Sequence, residues 1–411
     1  MDKSLFSASR DVIDYCISSV LPDAAVKKAL KEIKLSGKVV LVAIGKAAFR
    51  MAEVAKEVLR DRIDDGIVIT KYGYAKGSIN GVEVVEAGHP VPDENSVVGT
   101  QKAIDKIKHL SSSDSVLFLV SGGGSALFEK PKCSLSELKR ITSFLLSSGA
   151  DIVEMNTIRK RLSCVKGGRF ASLTAAHIYE IVLSDIIGDP LDMIASGPAV
   201  ADSSVNEDAK RIIQKYSVDI SEDTMHCFEE ETPKSLCNVT TYITGSVKEL
   251  CAAAEYKLKQ SGYNVVFLTD RLSCISRSAG VFLSDILQSH KDTKENIAFV
   301  LGGETVVRVT GKGKGGRNQE IALSAAKGIS GINGAFCFSV GSDGTDGPTD
   351  AAGGYVDYTS YSELKEKGID ASSVLDNNDS YNALNAIGTL IKTGPTGTNV
   401  NDLTVIGIKK Q

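Results

Sequence analysis

Hydrophobic positions fall along the chain in blocks whose period changes. Residues 38–44 (KVVLVAI) and 115–120 (SVLFLV) are unbroken apolar runs of strand length, as expected of strands buried on both faces. Residues 66–70, 82–86 and 177–183 read as further strands. Between these runs the apolar residues recur at three- and four-residue spacing. Ala48, Met51, Ala52, Ala55 and Leu59 form one face of a helix that runs to about Arg60. Residues 11–20, 24–33, 97–110, 134–146 and 151–161 are predicted helices of the same kind, with Pro22 breaking the first pair. The strand–helix–strand opening predicts a parallel sheet.

Residues 203–233 are polar and acidic, and predict a helix plus a linker. The alternating pattern then restarts. Strands are expected at 240–244, 264–269, 297–301, 305–310, 335–340 and 403–408. Helices are expected at 246–260, 278–287, from about 318 to 326, and in short pieces at 364–367 and 383–390. The break predicts two domains, 1–235 and 236–411, in keeping with a length of 411 residues.

Composition narrows the class. Apolar residues make up 42% and charged residues 24%, typical of a soluble globular protein. The net charge of −4 gives no bulk attraction to nucleic acid or to an anionic membrane. No apolar run approaches membrane-spanning length, and the first residues carry no secretory core. The eight cysteines include no C-x-x-C pair, which points to free thiols in a reducing cytoplasm. The five histidines include no H-x-x-x-H pair, so zinc is not expected.

The candidate chemistry lies in glycine clusters at strand ends. Ser121, Gly122, Gly123, Gly124 and Ser125 follow a buried strand. Successive backbone N–H groups in such a turn can hold an anion. Lys46 occupies another strand-to-helix turn, and Lys166 and Arg169 flank a glycine pair; each could neutralise a phosphate or carboxylate. Residues 311–318 (GKGKGGRN) form a basic loop at a helix start, and Arg317 offers a planar fork for a phosphoryl group. Gly311, Gly313 and Gly316 also match the G-x-G-x-x-G spacing of dinucleotide sites, which keeps an NAD(P)-dependent hydroxy-acid reductase as the alternative. There is no Walker-type P-loop.

Residues 341–354 (GSDGTDGPTDAAGG) carry Asp343, Asp346 and Asp350 after an apolar run. They read equally as a hard-cation site and as a solvated turn. Asp185 and Asp189 follow another strand, with helix capping as the competing role. His89, in a loop with Pro90 and Pro92, reads equally as a base and as a structural residue. Cationic glycine loops combined with an acidic loop suit phosphoryl transfer, where a polyphosphate is gripped by amides and cations and its metal by carboxylates.

Taken in order, GKAA (45–48), GHPVPD (88–93), SGGGSAL (121–127), VKGGR (165–169), SDIIGDP with IASGP (184–198), GGET (302–305), GKGGRNQE (313–320), GTDGPTDAAGG (344–354) and TGPTGTNVNDL (393–403) resemble the glycerate 2-kinase family, whose C-terminal part is the MOFRL domain. The resemblance spans nearly the whole chain; only 203–233 lacks a match. It implies two α/β domains, the first Rossmann-like and three-layered with a mostly parallel sheet, and an active site in the interdomain cleft. It implies transfer of the γ-phosphoryl group of ATP, with Mg²⁺, to the 2-hydroxyl of D-glycerate. Lys46, Arg317 and Asp189 are then the expected catalytic residues. Ser121, Gly122, Gly123, Gly124, Ser125, Lys166, Arg169 and Asp185 would bind substrate. Gly313, Gly315, Gly316, Asn318, Asp343, Thr398 and Asn399 would contact nucleotide, and Asp343, Asp346 and Asp350 the metal. A cytoplasmic enzyme with a small-molecule substrate follows, and a homo-oligomer is compatible with it.

Overall fold

The computed structural model describes residues 1–184, 186–188 and 190–410. They form two compact units, 25–244 and 1–24 with 245–411. The division therefore differs from the expected one at 235/236. The first helix, Lys3–Ser19, is the reason. Its apolar stripe of Leu5, Val12, Ile13, Cys16 and Ile17 is buried with Val247, Leu250, Cys251 and Ala254 of the helix Val247–Gln260. The helix begins earlier than expected because Asp2 caps it, accepting from the N–H groups of Ser4 and Leu5.

In unit 25–244, six strands lie in the order β3-β2-β1-β4-β5-β6. They are β1 (Val39–Ile44), β2 (Asp65–Lys71), β3 (Glu83–Ala87), β4 (Ser115–Val120), β5 (His177–Leu183) and β6 (Val239–Gly245). β1 pairs in parallel with both β2 and β4, and the β2–β3 and β4–β5 pairs are parallel too. Alternate residues of β1 face opposite cores. Val40, Val42 and Ile44 pack with Ala103, Ile104 and Ile107 of the helix Glu94–Ile107. Val39, Leu41 and Ala43 pack with Met51, Ala52 and Ala55 of the helix Ala48–Leu59. Burial on both faces explains the unbroken apolar runs.

The other unit holds a second sheet, β11-β10-β9-β12-β8-β7. Its strands are β7 (Asn264–Leu272), β8 (Ile297–Gly303), β9 (Ala335–Gly341), β10 (Gly353–Asp357), β11 (Leu390–Ile391) and β12 (Asp402–Ile408). Only β7–β8 is parallel; the other four pairings are antiparallel. β12 runs between β8 and β9, with Asp402 opposite Gly303 and Gly341. The strand expected at 305–310 is absent, reduced to a single bridge between Val306 and Ile275. β10 and β11 were not anticipated. β10 begins with Gly353-Gly354 inside what reads as loop sequence, and residues 383–390 divide between the helix Ser380–Ala386 and the start of β11. Among the described residues, no helix is long and apolar enough to cross a membrane.

A buried ionic cluster ties the polar stretch 203–233 to unit 25–244. Arg161, fully buried, donates from Nη1 to Asp202 Oδ2 at 2.7 Å and from Nε to Asn206 Oδ1 at 2.6 Å. Lys160 Nζ lies 3.0 Å from Asp202 Oδ1 and 3.1 Å from Asp192 Oδ2. Burial opposes the Asp202 charge, but Lys160 and Arg161 hold its carboxyl well below the usual carboxylate range. Asp202→Ala leaves two buried cations short of a partner, and should lower stability by roughly 3–5 kcal/mol at neutral pH. A depressed folded pKa contributes stability above the unfolded value and loses it as pH falls. The gap between wild type and variant should therefore narrow below about pH 4. Urea unfolding at pH 7 and pH 3.5 checks both expectations.

Candidate active site

In unit 25–244 the parallel register sets Ile44 of β1 beside Val120 of β4. The Gly45-Lys46 turn and the 121–125 loop therefore leave the sheet side by side, at the carboxyl ends where open α/β sheets bind ligands. Ser121 joins them. Its Oγ donates to Ile44 O at 3.2 Å and accepts from the Ala47 N–H at 3.1 Å. The Lys46 N–H donates to Gly122 O at 2.9 Å. Ser121 thus fixes the turn, a framework role beside the expected ligand role.

Gly123 is left-handed, with φ 89°, and precedes the short helix Gly124–Leu127. A Cβ there would stand 3.0 Å from the His89 ring and 3.4 Å from Lys46 Cγ. The His89 and Lys46 side chains therefore lie close against the loop backbone, and only glycine satisfies both the turn and the approach. Burial, with Lys46 and Lys71 nearby, pulls the His89 pKa below its ordinary value. His89 is consequently neutral at pH 7. Lys46 has no hydrogen-bonding or ion-pair partner for its ammonium among the described residues. Ser125 Oγ lies 3.2 Å from Ser196 Oγ, which donates to Asn156 Oδ1 at 2.8 Å. Ala195 and Ser196 both have positive φ, 51° and 60°, a strained backbone directly behind the loop.

Two expected substrate residues have other work. Lys166 is fully buried; its Nζ donates to Phe128 O at 2.9 Å and pairs with Glu129 Oε2 at 2.9 Å. Arg169 is buried and donates to Glu230 O at 3.2 Å. Both support the backbone around the loop and carry their own partners. The residues expected at Asp185 and Asp189 lie outside the described residues.

The second constellation sits in the other unit, where β8 and β9 end and β12 begins. Asp402, the first residue of β12, holds Arg317 through both oxygens, Nε–Oδ2 at 2.5 Å and Nη2–Oδ1 at 2.9 Å. Glu304, just past β8, lies 3.3 Å from Arg317 Nη1. The Arg317 side chain is 31% exposed. Burial opposes its charge, but the Asp402 hydrogen bonds outweigh it and raise the arginine pKa. The fork is thereby locked along its Nε–Nη2 edge, with Nη1 beside Glu304.

Asp346 is the anchor of this half. It is buried and caps the helix Arg317–Ile329, accepting from the N–H of Asn318 at 3.1 Å and of Gln319 at 2.9 Å. Gln319 Nε2 adds a bond at 3.0 Å. Asn318 is fully buried and accepts from Ser339 Oγ at 2.6 Å, so its side chain serves the framework. Asp350 is exposed, and accepts from Tyr381 OH at 2.6 Å and Lys392 Nζ at 2.8 Å, which hold its carboxyl down at about 2. Asp343, partly exposed, takes the Thr345 N–H at 2.9 Å. The three carboxylates of this loop therefore serve three separate purposes. Among the described residues no group of three His, Cys, Asp or Glu could hold a metal. A magnesium cage made of Asp343, Asp346 and Asp350 does not fit this geometry.

The basic glycine loop is also differently used. The N–H groups of Gly311, Lys312, Gly313 and Lys314 donate to Asn378, Asn377 and Asp379. A Cβ at Gly313 would meet the Asn377 carbonyl at 2.6 Å, and one at Gly315 or Gly316 would run into Ser380 or Asp346. These glycines permit close approach of two loops, and the amides expected to grip phosphates at 311–314 are already bonded. The dinucleotide-like spacing thus has a packing cause, which removes the observation behind a reductase. Thr398 is buried and donates to Val20 O at 2.9 Å, a structural use, while Asn399 is exposed. Sequence reasoning gave no role to Glu304, Asp402, Asn156, Arg159 or Ser196. Glu304 and Asp402 lay within quoted motifs, but their link through Arg317 joins positions far apart in the chain.

A family model described as a domain of unknown function, DUF4147, matches residues 8–229, and the MOFRL family model matches residues 297–402. The D-glycerate 2-kinase of Thermotoga maritima is 49% identical over 99% of this chain and 99% of its own length. The crystal structure of the Thermotoga maritima glycerate kinase superposes with a TM-score of 0.96, covering 99% of this chain and 100% of that one. The glycerate 2-kinase of Pyrococcus horikoshii is 42% identical over 91% of this chain and 88% of its own. The chain belongs to the glycerate 2-kinase family.

The capping role of Asp346 can be measured directly. Asp346→Ala should cost about 1–2 kcal/mol for the lost cap, while Asp346→Asn, which keeps an acceptor oxygen, should cost less. Chemical denaturation of the two variants provides the comparison; equal losses would count against capping.

Proposed function

We propose that the protein catalyses ATP-dependent phosphorylation of D-glycerate at its 2-hydroxyl, giving 2-phosphoglycerate and ADP. The observation that carries this reading is the 121–125 loop with Lys46 and His89 laid against Gly123, in a chain of this family. Lys46, which has no ion-pair partner among the described residues, lies against a loop whose left-handed turn suits an anion. In this reading, unit 25–244 takes the acceptor. Arg317, locked by Asp402, belongs to the nucleotide side together with Asp343.

The transfer is direct and in line. The 2-hydroxyl oxygen attacks the γ-phosphorus, the bond from that phosphorus to the bridging oxygen of ADP breaks, and the hydroxyl proton leaves to a base. Asp189 holds that role on its sequence position. Lys46 neutralises charge on the transferring group and Arg317 charge on the nucleotide phosphates, and no covalent enzyme intermediate is needed. Mg²⁺, when bound with ATP, would neutralise charge on the phosphates, and Asp343, the partly exposed carboxylate of the 341–354 loop, would be the residue to hold it. The eight cysteines are all free thiols, which supports a reducing cytoplasm.

Lys46→Ala and Arg317→Ala should each lower kcat roughly 10²-fold or more, comparable to the loss of one oxyanion donor. ADP release with D-glycerate measures the rate. Phosphorus NMR of the product separates the 2- from the 3-phosphate. Near wild-type turnover in either folded variant would end that residue's role, and absence of product from wild type would end the reading itself.

A further inference from the structure

The basic residues around the helix Ile152–Leu162 divide sharply by whether they have a partner. Lys160 pairs with Asp192 and Asp202, and Arg161 with Asp202. Lys166 pairs with Glu129, and Arg169 bonds the Glu230 carbonyl. Arg159 is different. It is half-buried, yet it makes no hydrogen bond and no ion pair with any described residue. Burial pulls its pKa below the ordinary arginine value, and Glu129 is the carboxylate that opposes this. Glu129, however, is already bonded to Lys166 at 2.9 Å and to Ser163 Oγ at 2.6 Å. A guanidinium removed from water without a counter-ion is unfavourable, and an arriving anion would relieve that cost.

Two routes lead from Arg159 to the 121–125 loop. Arg159 follows Asn156 by three residues, so both project from one face of the helix. Asn156 is bonded to Ser196, and Ser196 lies beside Ser125 of the loop. The second route runs through Lys166, whose pKa is lowered by burial with a smaller contribution from Arg159; its Nζ bonds Phe128 O, where the short helix after the loop ends.

We propose that Arg159 receives the carboxylate of the acceptor substrate. The proposal rests on the phosphoryl-transfer reading above, and adds the residue that separates a 2-hydroxy acid from an uncharged polyol. A guanidinium presents two parallel N–H donors that match the two oxygens of a carboxylate. Neither the serines nor the glycine amides of the loop carry the charge for that task. Anchoring the carboxylate also fixes the neighbouring carbon, and so presents the 2-hydroxyl rather than the more distant 3-hydroxyl. Lys46 is then left for the transferring phosphoryl group.

The test uses the full chain, with Arg159→Gln and Arg159→Lys, each checked for folding by circular dichroism and melting. Calorimetric titration with D-glycerate and, separately, with ADP is read beside KM for D-glycerate and for ATP. Arg159→Gln should weaken D-glycerate binding and raise its KM by roughly 30-fold or more, while ADP binding and KM for ATP stay within about twofold. Arg159→Lys should fall between that variant and wild type. Unchanged D-glycerate affinity in folded Arg159→Gln, or equal losses toward D-glycerate and nucleotide, overturns the proposal. If Arg159→Gln does not fold, Arg159→Lys decides alone, and a wild-type affinity for D-glycerate in it overturns the proposal. Wild type that binds D-glycerate but does not phosphorylate it overturns the kinase reading, and the binding comparison still decides Arg159. Wild type that binds no D-glycerate overturns both.

Discussion

A cation taken out of water has to find an opposite charge, and this requirement organises both units. Arg161 and Lys160 share Asp202, Lys166 holds Glu129, and Arg317 is clasped by Asp402 with Glu304 alongside. Each pair spans a long stretch of chain and pins a loop to an element that a local pattern could not have tied to it. Breaking such a pair is expensive because the remaining charge stays buried. The pairs therefore set the loop geometry on which any chemistry here depends. They also make the exceptions visible: among the described residues, Lys46, lying against Gly123, and Arg159, on the helix face that carries Asn156, have no ion-pair partner.

The elements of the first sheet were legible because strands buried on both faces write themselves as unbroken apolar runs. The helix face of Ala48, Met51, Ala52 and Ala55 is as plain, and all four are buried as that spacing requires. What escaped was decided by distant partners. The helix Lys3–Ser19 has a complete apolar stripe, but nothing in residues 1–24 says that the stripe is met by residues beyond 245. β10 is written Gly353-Gly354-Tyr355, and its glycines are needed because Ser339 of β9 and Leu384 crowd their Cα positions. A glycine pair after an acidic turn reads locally as more turn.

The site was legible as places rather than as roles. Strand-end loops at 45–46, 121–125, 302–305 and 341–346 were singled out, and each does lie at a carboxyl end of β1, β4, β8 or β9. The roles inside them were harder, because glycine, aspartate and arginine each have two uses. Gly123 is held in a left-handed turn beside two side chains, whereas Gly313 and Gly315 let one loop lie against another. Asp346 looked like a metal ligand and is a helix cap; Asp350 looked the same and is paired with Lys392. A carboxylate already accepting two or three N–H bonds has little left to offer an ion.

The same logic explains why the basic residues between glycines stand out in the sequence while Arg159 does not. Lys166 and Arg169 stand out in VKGGR because flexible neighbours suggest a ligand loop. Their partners, Glu129 and Glu230, lie about forty to sixty residues away in sequence, where no local spacing reveals them. Arg159 sits in an ordinary amphipathic helix between Ile158 and Lys160, in a run where three basic residues look interchangeable. Only the pairing pattern separates them: Lys160 and Arg161 face acids, and Arg159 faces the side of the helix that carries Asn156. The informative quantity is thus a difference, the charge a neighbourhood holds minus the charge it balances. A folded chain exposes that difference residue by residue, and a linear one conceals it.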